Sequence, residues 1–277
     1  MELLITGAGG FVGNFFYESF IDKYNMYRIF SSSNTENNSY TIDLTNDEMV
    51  EESIHELSKK NIDVIIHLAS KVASSDKIYD LNILTENISI TKNIILITKK
   101  LKPKLLINFS SMAVYPNISG LFSEESIPKP QHNNDCLYGL SKYNSEVMID
   151  FFLKKTSTKI VHLRIAQIYG EGMRQDRIIP TMLKELKTKN TITIFGNGMR
   201  ASSFIEINKL AKIVDFIILN KISGLYNVGE QNLNYYDLAK LLLEEHGNYL
   251  SRIVKKEDGS KEKFKLDLSK LEKIMKD

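Results

Sequence analysis

Short apolar runs alternate with amphipathic stretches along the first 165 residues. Runs rich in aliphatic and β-branched residues predict strands at residues 3–6, 27–31, 62–68, 104–110 and 159–163. Apolar residues at helical spacing predict helices at residues 11–23, 46–60, 81–101 and 137–155. Strands that are apolar on both faces, with helices between them, are typical of a parallel, doubly wound sheet. The pattern therefore predicts an α/β fold of the Rossmann type.

The pattern loosens after Arg164. Helices are predicted at residues 178–189, 210–219 and 235–245, and short strands at 191–195, 203–207 and 225–228. The charged stretch 255–263 is predicted to be an exposed connection. We therefore expect a first domain at residues 1–165 and a smaller C-terminal α/β region at 166–277. Late segments at about 207–246 are expected to return to the first domain.

Composition narrows the class of protein. The chain has 277 residues, 43% of them hydrophobic, and a net charge of +2 from 36 basic and 34 acidic residues. This balance gives no reason to expect nucleic acid or a membrane as a partner. No apolar run approaches the roughly 18 residues of a membrane span. With Cys136 as the single cysteine, no internal disulfide can form, and we expect a cytoplasmic protein. No His, Cys or acidic cluster has metal-ligand spacing, so no metal is predicted.

Three glycines follow the first predicted strand. Gly7, Gly10 and Gly13 are spaced Gly-x-x-Gly-x-x-Gly and open the first helix, whose first residues include Phe11 and Val12. Glycine permits a tight turn and a close approach of the backbone to a ligand. The helix N-terminus then presents free N–H groups to a pyrophosphate. The first region is therefore predicted to bind a dinucleotide.

A dinucleotide fold usually places an acid after the second strand to hold the ribose 2′-hydroxyl. This chain has Ser31 and Ser32 there, with no acid. Hydroxyls suit either a ribose or a 2′-phosphate, so the coenzyme is NAD or NADP, with a slight preference for NADP. Asp43, followed by Leu44, is placed to accept from an adenine amino group, or alternatively to precede a helix cap at Asn46.

Tyr138 and Lys142 lie four residues apart, on one face of a predicted helix. An ammonium group held there favours the phenolate and draws a tyrosine pKa of about 10 toward neutrality. Such a phenol can exchange a proton with an alcohol or ketone oxygen while a hydride moves on carbon. Tyr236 and Lys240 repeat the spacing, but no serine-bearing strand precedes them, so we interpret that pair as packing and a solvated lysine.

Further motifs appear in a fixed order along the chain, at residues 67–70, 87–91, 109–115, 164–170, 196–200 and 226–229. Together with the glycine loop and Tyr138, they resemble the motifs of the extended short-chain dehydrogenase/reductases, which include nucleotide-sugar epimerases, dehydratases and ketoreductases. The resemblance implies an NAD(P)-dependent enzyme acting on a nucleotide sugar, and a homodimer formed through the helices that contain Asn87 and Tyr138.

The resemblance also implies roles for individual residues. It selects Ser111 over Ser110 as the catalytic serine, beside Tyr138 and Lys142. The residues it places at the coenzyme, in addition to those of the glycine loop, the two serines, Asp43 and Leu44, are Leu68, Ala69, Ser70, Asn87, Lys142 and Ile165. The residues it places at the substrate are Ser111, Met112, Tyr138, Gln167, Arg177 and Arg200.

Some positions depart from the family's pattern. Met112 and Ala113 stand where 4,6-dehydratases carry an acid pair, so dehydration is not expected. Gln167 replaces an asparagine, and Ser202 with Ser203 replaces Arg-Asp. The resemblance leaves a 4-keto-6-deoxy-sugar reductase of bacterial surface polysaccharide synthesis as the preferred interpretation. A nucleotide-sugar 4-epimerase with retained NAD is the alternative, and a non-catalytic dinucleotide-binding regulator is the remaining one.

Overall fold

The computed structural model describes residues 1–72 and 78–276. The strands are β1 Glu2–Thr6, β2 Asn25–Phe30, β3 Ser39–Thr41, β4 Val64–His67, β5 Leu105–Ser111, β6 Gly120–Phe122, β7 Lys159–Ile165, β8 Gln167–Tyr169, β9 Thr191–Ile194, β10 Ala201–Glu206, β11 Gly224–Val228, β12 Gln231–Asn234, β13 Arg252–Lys255 and β14 Phe264–Leu266. The helices are α1 Phe11–Phe20, α2 Asp47–Ser58, α3 Asn82–Leu101, α4 Cys136–Leu153, α5 Ile178–Lys189, α6 Ile207–Asn220, α7 Tyr235–His246 and α8 Ser269–Lys276.

A seven-stranded parallel sheet forms the centre of the fold, in the order β11-β7-β5-β4-β1-β2-β3. The predicted Rossmann-type architecture is therefore confirmed. The strand order reverses direction at β1, which lies between β2 and β4. In open α/β sheets, ligands bind in the crevice outside the carboxyl ends of the strands at such a switch point.

Almost every residue of β1, β4 and β5 is buried, which explains why these strands are apolar on both faces. Leu4, Ile65 and Leu106 are fully buried on β1, β4 and β5, in one cluster with Ile94 of α3 and Ile149 of α4. Each such side chain contributes about 1.5–3 kcal/mol by leaving water. The layer of α3 and α4 on the sheet thus follows from the apolar spacing of those two helices.

The chain divides into two compact units. The first comprises Met1–Pro116, Ile127–Ile165 and Ala211–Tyr226. The second comprises Asn117–Ser126, Ala166–Leu210 and the residues from Asn227 onward. The second unit holds three small sheets, β12-β10-β8, β13-β9 and β14-β6, and a core that includes Ile192, Phe204 and Leu238.

The apolar pattern did not predict β6, β8, β12, β13, β14 or α8. These strands have three or four residues each, and distant pairing defines them: Phe264 of β14 pairs with Gly120 of β6. Local periodicity is too short to signal such strands. The charged stretch 255–263 is exposed, as predicted. Within the described part of the chain, no helix combines the length and apolar character needed to cross a bilayer.

Candidate functional site

The glycine loop after β1 has no room for a side chain at Gly7 or Gly13. Gly7 has a φ of +71°, and a β-carbon there would lie 2.7 Å from the amide nitrogen of Ala69. A β-carbon at Gly13 would lie 2.5 Å from the carbonyl oxygen of Gly7. Gly10 donates from its N–H to that same carbonyl at 3.1 Å. The loop is thus folded tightly against both α1 and the end of β4.

The N-terminus of α1 fits an anionic ligand. Gly10 is the N-cap residue, no side chain caps it, and the first turn carries no acid. Phe11 and Val12 occupy the first turn, where N–H groups have no partner within the helix. The uncompensated positive end of the helix dipole therefore faces the carboxyl edge of the sheet, and these residues suit the pyrophosphate of a dinucleotide.

The segment after β2 carries no free acid for a ribose. Ser31 and Ser32 are exposed directly beyond the strand. The next acid, Glu36, pairs with Arg28 at 2.6 Å, and this hydrogen bond lowers the pKa of Glu36. The Arg28 guanidinium is buried and lies 3.5 Å from the ring centroid of Tyr17 on α1. The sequence did not predict the Arg28–Glu36 pair, because an arginine within an apolar strand gives no indication of its partner.

Asp43 and Leu44 lie between β3 and α2. The Asp43 carboxylate accepts from the N–H of Thr45 at 2.9 Å and from its hydroxyl at 2.8 Å. Asn46, rather than Asp43, caps α2 and accepts from the N–H of Met49. Leu44 is buried, and its carbonyl accepts from Asn93 at 3.0 Å. One Asp43 oxygen is therefore used locally, in a turn that orients the carboxyl group.

The ends of β1 and β4 are joined by Thr6. Its hydroxyl contacts Nδ1 of His67 at 2.8 Å and accepts from the N–H of Ala69 at 3.3 Å. The N–H of Leu68 donates to the carbonyl of Thr6 at 3.2 Å. Burial, together with the positive charge of Lys142, lowers the pKa of His67 to about 3. His67 is therefore a neutral core residue at physiological pH.

Asn87 holds the segment after β4 against α4. Its Oδ1 accepts from the hydroxyl of Ser70 at 3.1 Å and from the N–H of Lys71 at 2.8 Å. Its Nδ2 donates to the carbonyl of Lys71 at 2.9 Å and to the hydroxyl of Ser141 at 3.1 Å. Asn87 is buried, so these contacts position Ser70 and its neighbours. Residues 73–77, which follow, lie outside the described part of the chain.

Ser111 is the last residue of β5, level with Ile165 at the end of β7. Its Oγ accepts from the N–H of Ala113 at 3.1 Å, capping a 3₁₀ turn at Met112–Val114. Ser111 and Met112 are half-buried, whereas Ser110 is buried and donates to Glu146. The two adjacent serines thus have different surroundings, and only Ser111 lies at the strand end.

Tyr138 and Lys142 lie on successive turns of α4. The Lys142 Nζ atom is 5.6 Å from the Tyr138 ring centroid and donates to the carbonyl of Phe109 at 2.8 Å. Burial lowers the pKa of Lys142 to about 8, an effect that Glu146 opposes. Tyr138 is half-buried. An ammonium group whose pKa is lowered to about 8 therefore lies beside a phenol.

Gly139 brings α4 close to the turn after β5. A β-carbon at this position would lie 2.1 Å from the carbonyl oxygen of Ala113. Any other residue would push the helix away from the 3₁₀ turn that Ser111 caps. The glycine inside the Tyr-x-x-x-Lys segment therefore keeps Tyr138 and Ser111 on adjoining pieces of backbone.

Glu146 and Arg164 form a buried ion pair that sequence reasoning did not single out. Arg164 donates from Nε to Glu146 at 3.0 Å and from Nη2 at 2.7 Å. Arg164 also donates from Nη1 to the Tyr115 hydroxyl at 2.9 Å. The available signal was an acid four residues after Lys142, at a helix position that patterning predicts to be buried.

The remaining predicted residues lie in the second unit. Gln167 on β8 donates to the hydroxyl of Ser202 on β10 at 2.8 Å, so two departures from the family pattern contact each other. Arg177 is the N-cap residue of α5, with 41% of its side chain exposed. The Arg200 guanidinium lies 5.3 Å from the Tyr235 ring centroid.

The second Tyr-x-x-x-Lys match has different surroundings. Lys240 and Lys255 lie 4.8 Å and 4.1 Å from the ring centroid of Tyr236. Ser202 and Ser203 lie on β10, which pairs with β12 directly before α7, so a serine-bearing strand does precede this pair. Their hydroxyls contact Gln167 and Asn232. Both cations are exposed at the surface of the second unit. The surroundings agree with the interpretation as packing with solvated lysines.

A cavity of about 530 Å³ lies beside the start of α4 in the first unit. Its lining residues are Ile78, Tyr79, Leu81, Gln131, Asn133, Asn134, Cys136 and Leu137. The lining mixes apolar surface with amide groups, and it includes the two residues that precede Tyr138. Among the described residues, no group of three His, Cys or acidic side chains is arranged to hold a metal ion.

Comparison with known proteins identifies the class. Residues 3–229 match the NAD dependent epimerase/dehydratase family, so the chain belongs to that family and is an enzyme. It is 27% identical over 228 residues to dTDP-4-dehydro-6-deoxyglucose reductase of Escherichia coli, covering 76% of this chain and 70% of that protein. It is 25% identical over 277 residues to UDP-glucose 4-epimerase of Mycoplasma genitalium, covering 86% of this chain and 80% of that protein.

Solved structures share the fold. The crystal structure of Thermus thermophilus UDP-glucose 4-epimerase in complex with NAD superposes with a TM-score of 0.80 at 17% identity. The match covers 99% of this chain and 93% of that one.

Proposed function

We propose that this enzyme transfers hydride at C4 of a nucleotide-activated sugar. The observation that carries the proposal is the Tyr138–Lys142 couple on α4, which Gly139 holds against the turn capped by Ser111. The named relatives act on such sugars, and the family is NAD-dependent. Bound coenzyme supplies the hydride chemistry between its nicotinamide ring and the sugar carbon.

The chain's own groups handle the proton. In our proposal, the Ser111 hydroxyl and the Tyr138 phenol hold the reacting carbinol or ketone oxygen. Tyr138 gives or takes the proton at that oxygen, as a general acid or base. Lys142 is protonated below about pH 8, and its positive charge favours the phenolate form of Tyr138. Tyr138 therefore exchanges its proton more readily near neutral pH.

The phosphates of a nucleotide sugar have to be bound by positively charged side chains other than Lys142. Arg177 and Arg200 are our candidates in the second unit, because a guanidinium group forms paired hydrogen bonds with phosphate. Gln167, held by Ser202, is our candidate for a polar contact to the substrate. In the first unit, Met112 is the apolar candidate next to Ser111.

The preferred reaction is reduction of a 4-keto-6-deoxy nucleotide sugar, a step of bacterial surface polysaccharide synthesis. Met112 and Ala113 cannot act as the acid pair that dehydration needs. An epimerase has to retain its coenzyme between two hydride transfers. Here the first acid after β2, Glu36, is already paired with Arg28, which leaves the hydroxyls of Ser31 and Ser32 to contact the ribose. In our proposal, a site without a ribose-binding acid directly after β2 favours a coenzyme that exchanges after each reduction.

A 4-epimerase is the second candidate. The observation that favours it is the match to the Mycoplasma genitalium UDP-glucose 4-epimerase, which extends over 86% of this chain. We propose NAD as the coenzyme of either reaction. The preference for NADP, drawn from the serines after β2, has no support among the proteins compared.

Stoichiometry distinguishes the two reactions. Purified enzyme should be incubated with dTDP- or UDP-linked 4-keto-6-deoxy sugars and with NADH or NADPH. A reductase consumes one reduced coenzyme for each product molecule, and NADH should give the higher kcat/KM. Interconversion of UDP-sugars without net coenzyme consumption, by protein that purifies with NAD bound, would reject the reductase in favour of the epimerase.

We further propose a homodimer formed through α3 and α4. Val147, Phe151 and Phe152 on α4 are about half exposed, which leaves apolar surface of this helix uncovered. Light scattering coupled to size-exclusion chromatography should give twice the mass of the 31.7 kDa chain. Replacing Phe151 with Glu should yield the monomer, whereas Glu52→Lys, a charge reversal at an exposed position of α2, should not.

A further inference from the structure

A buried charged centre lies behind the Tyr138–Lys142 couple. Glu146 is one helical turn beyond Lys142 on α4 and is 5% exposed. Two Arg164 nitrogens hold its two carboxylate oxygens, and the Ser110 hydroxyl donates to one of them. Burial of an ion pair is rarely favourable for stability alone, so its presence beside a proton-transfer couple calls for a functional explanation.

The centre connects α4, which carries Tyr138 and Lys142, with the ends of β5 and β7. Ser110 directly precedes Ser111 on β5, and Arg164 directly precedes Ile165 on β7. Arg164 also donates to Tyr115, which follows the turn capped by Ser111. Through Glu146, these contacts fasten α4 to the strand ends at one point.

The charges are arranged so that Glu146 favours the ammonium form of Lys142. Residues four apart on a helix are neighbours, so the Glu146 carboxylate places a negative charge next to this buried lysine on α4. The other groups facing Lys142 are the Tyr138 phenol, the neutral His67 imidazole on β4 and the Phe109 carbonyl on β5. Arg164 on β7 carries a positive charge that partly offsets the charge of Glu146, and its hydrogen bonds hold the Glu146 carboxylate in place.

We propose that Glu146 is a positioning residue which keeps Lys142 protonated at neutral pH and fixes α4 against Ser110, thereby setting the pH range of proton transfer at Tyr138. The proposal rests on the proposed role of Tyr138 and Lys142. The effect of Glu146 on the pKa of Lys142, however, can be measured without substrate.

The direct test is titration of Lys142 by NMR in the full-length protein labelled with ¹³C at lysine Cε. The Lys142 signal is assigned by its absence in Lys142→Met. The native protein should titrate near pH 8 at this site. In Glu146→Gln, which keeps the size and hydrogen-bonding capacity of the side chain, the midpoint should fall by about one pH unit or more.

Two control variants separate charge from packing. Asp150→Asn removes an exposed carboxylate one turn farther along α4 and should leave the Lys142 midpoint unchanged. Arg164→Met breaks the same ion pair but leaves the negative charge of Glu146, so the midpoint should not fall. An equal fall in Arg164→Met and Glu146→Gln, or none in either, would overturn the proposal.

If Glu146→Gln does not fold, the double variant Glu146→Gln/Arg164→Met replaces it in the test. The double variant removes both buried charges, so neither is left unpaired. Its Lys142 midpoint should also lie below that of the native protein, and an unchanged midpoint in it overturns the proposal. Thermal unfolding verifies that each variant is folded.

Activity provides a second readout. The alkaline limb of the pH profile of kcat should move to lower pH in Glu146→Gln, by the same amount as the NMR midpoint, with little change in KM. A shifted NMR midpoint without a shifted pH profile overturns the link to proton transfer. Failure of the proposed function has a different signature, since Tyr138→Phe would then retain full turnover.

Discussion

The Nζ atom of Lys142 donates to the main-chain carbonyl of Phe109 at 2.8 Å, two residues before Ser111 on the same strand. This bond fastens the lysine to β5 from the side of α4, while the Tyr138 ring centroid lies 5.6 Å away. A backbone acceptor cannot be removed by mutation and does not titrate. The ammonium group is therefore tied to the main chain of β5 beside the phenol.

Replacing Tyr138 with Phe should abolish proton transfer while preserving coenzyme binding. General acid–base catalysis contributes about 10²–10⁴ in rate, so kcat should fall by that factor. NADH affinity, measured by fluorescence titration, should change less than about twofold because the ring remains. Tyr143→Phe, on the same helix and half-buried, is the matched control and should retain full kcat. Equal losses in both variants would point to packing.

Gly13→Ala should impair coenzyme binding far more than Gly9→Ala. The new β-carbon at position 13 would lie 2.5 Å from the Gly7 carbonyl oxygen, so the loop has to shift. At position 9 it would lie 3.3 Å from a side-chain atom of Phe30, which can rotate slightly. Calorimetric titration with NADH should show at least about a tenfold weaker Kd for Gly13→Ala, corresponding to about 1.4 kcal/mol. Similar affinities would exclude the loop from the coenzyme site.

His67 should make the fold sensitive to acid. Its pKa is about 3 in the folded protein, against 6.5 when exposed. Between these values the unfolded chain binds more protons, so the free energy of unfolding falls as the pH drops from 6.5 toward 3. His67→Gln, which can still bond to Thr6, should reduce this slope in urea unfolding measured at about pH 7 and about pH 4.5. The exposed His55→Gln should leave it unchanged, and an unaltered slope in His67→Gln would refute the assignment.

Asn87→Ala should destabilise the first unit and loosen the segment after β4. Its amide makes four hydrogen bonds, to Ser70, Lys71 and Ser141. Removing a buried partner costs about 1–3 kcal/mol, so chemical denaturation should show a loss in that range. Asn82→Ala, exposed on the same helix, should cost less than about 0.5 kcal/mol. Amide hydrogen exchange at Lys71 should accelerate in the first variant alone.

Much of the fold could be predicted because the signals are local. The central strands are buried on both faces, so apolar runs mark β1, β4 and β5, and helical spacing marks α3 and α4. The short strands of the second unit could not be predicted, because three-residue segments such as β6 and β14 exist only through their mutual pairing. The roles of individual site residues remain predictions.

The amino-acid sequence alone determined the alternation of strands and helices, the glycine loop and the candidate Tyr138–Lys142 couple, since each depends on neighbours within a few residues. Only the tertiary structure decided which groups surround that couple. It placed the Phe109 carbonyl on Lys142, Arg164 on Glu146 and Glu36 on Arg28. These contacts join residues 8 to 33 positions apart, and each includes at least one buried charged group. The periodicity of apolar residues indicates neighbours only within a few positions, so it could not predict these contacts.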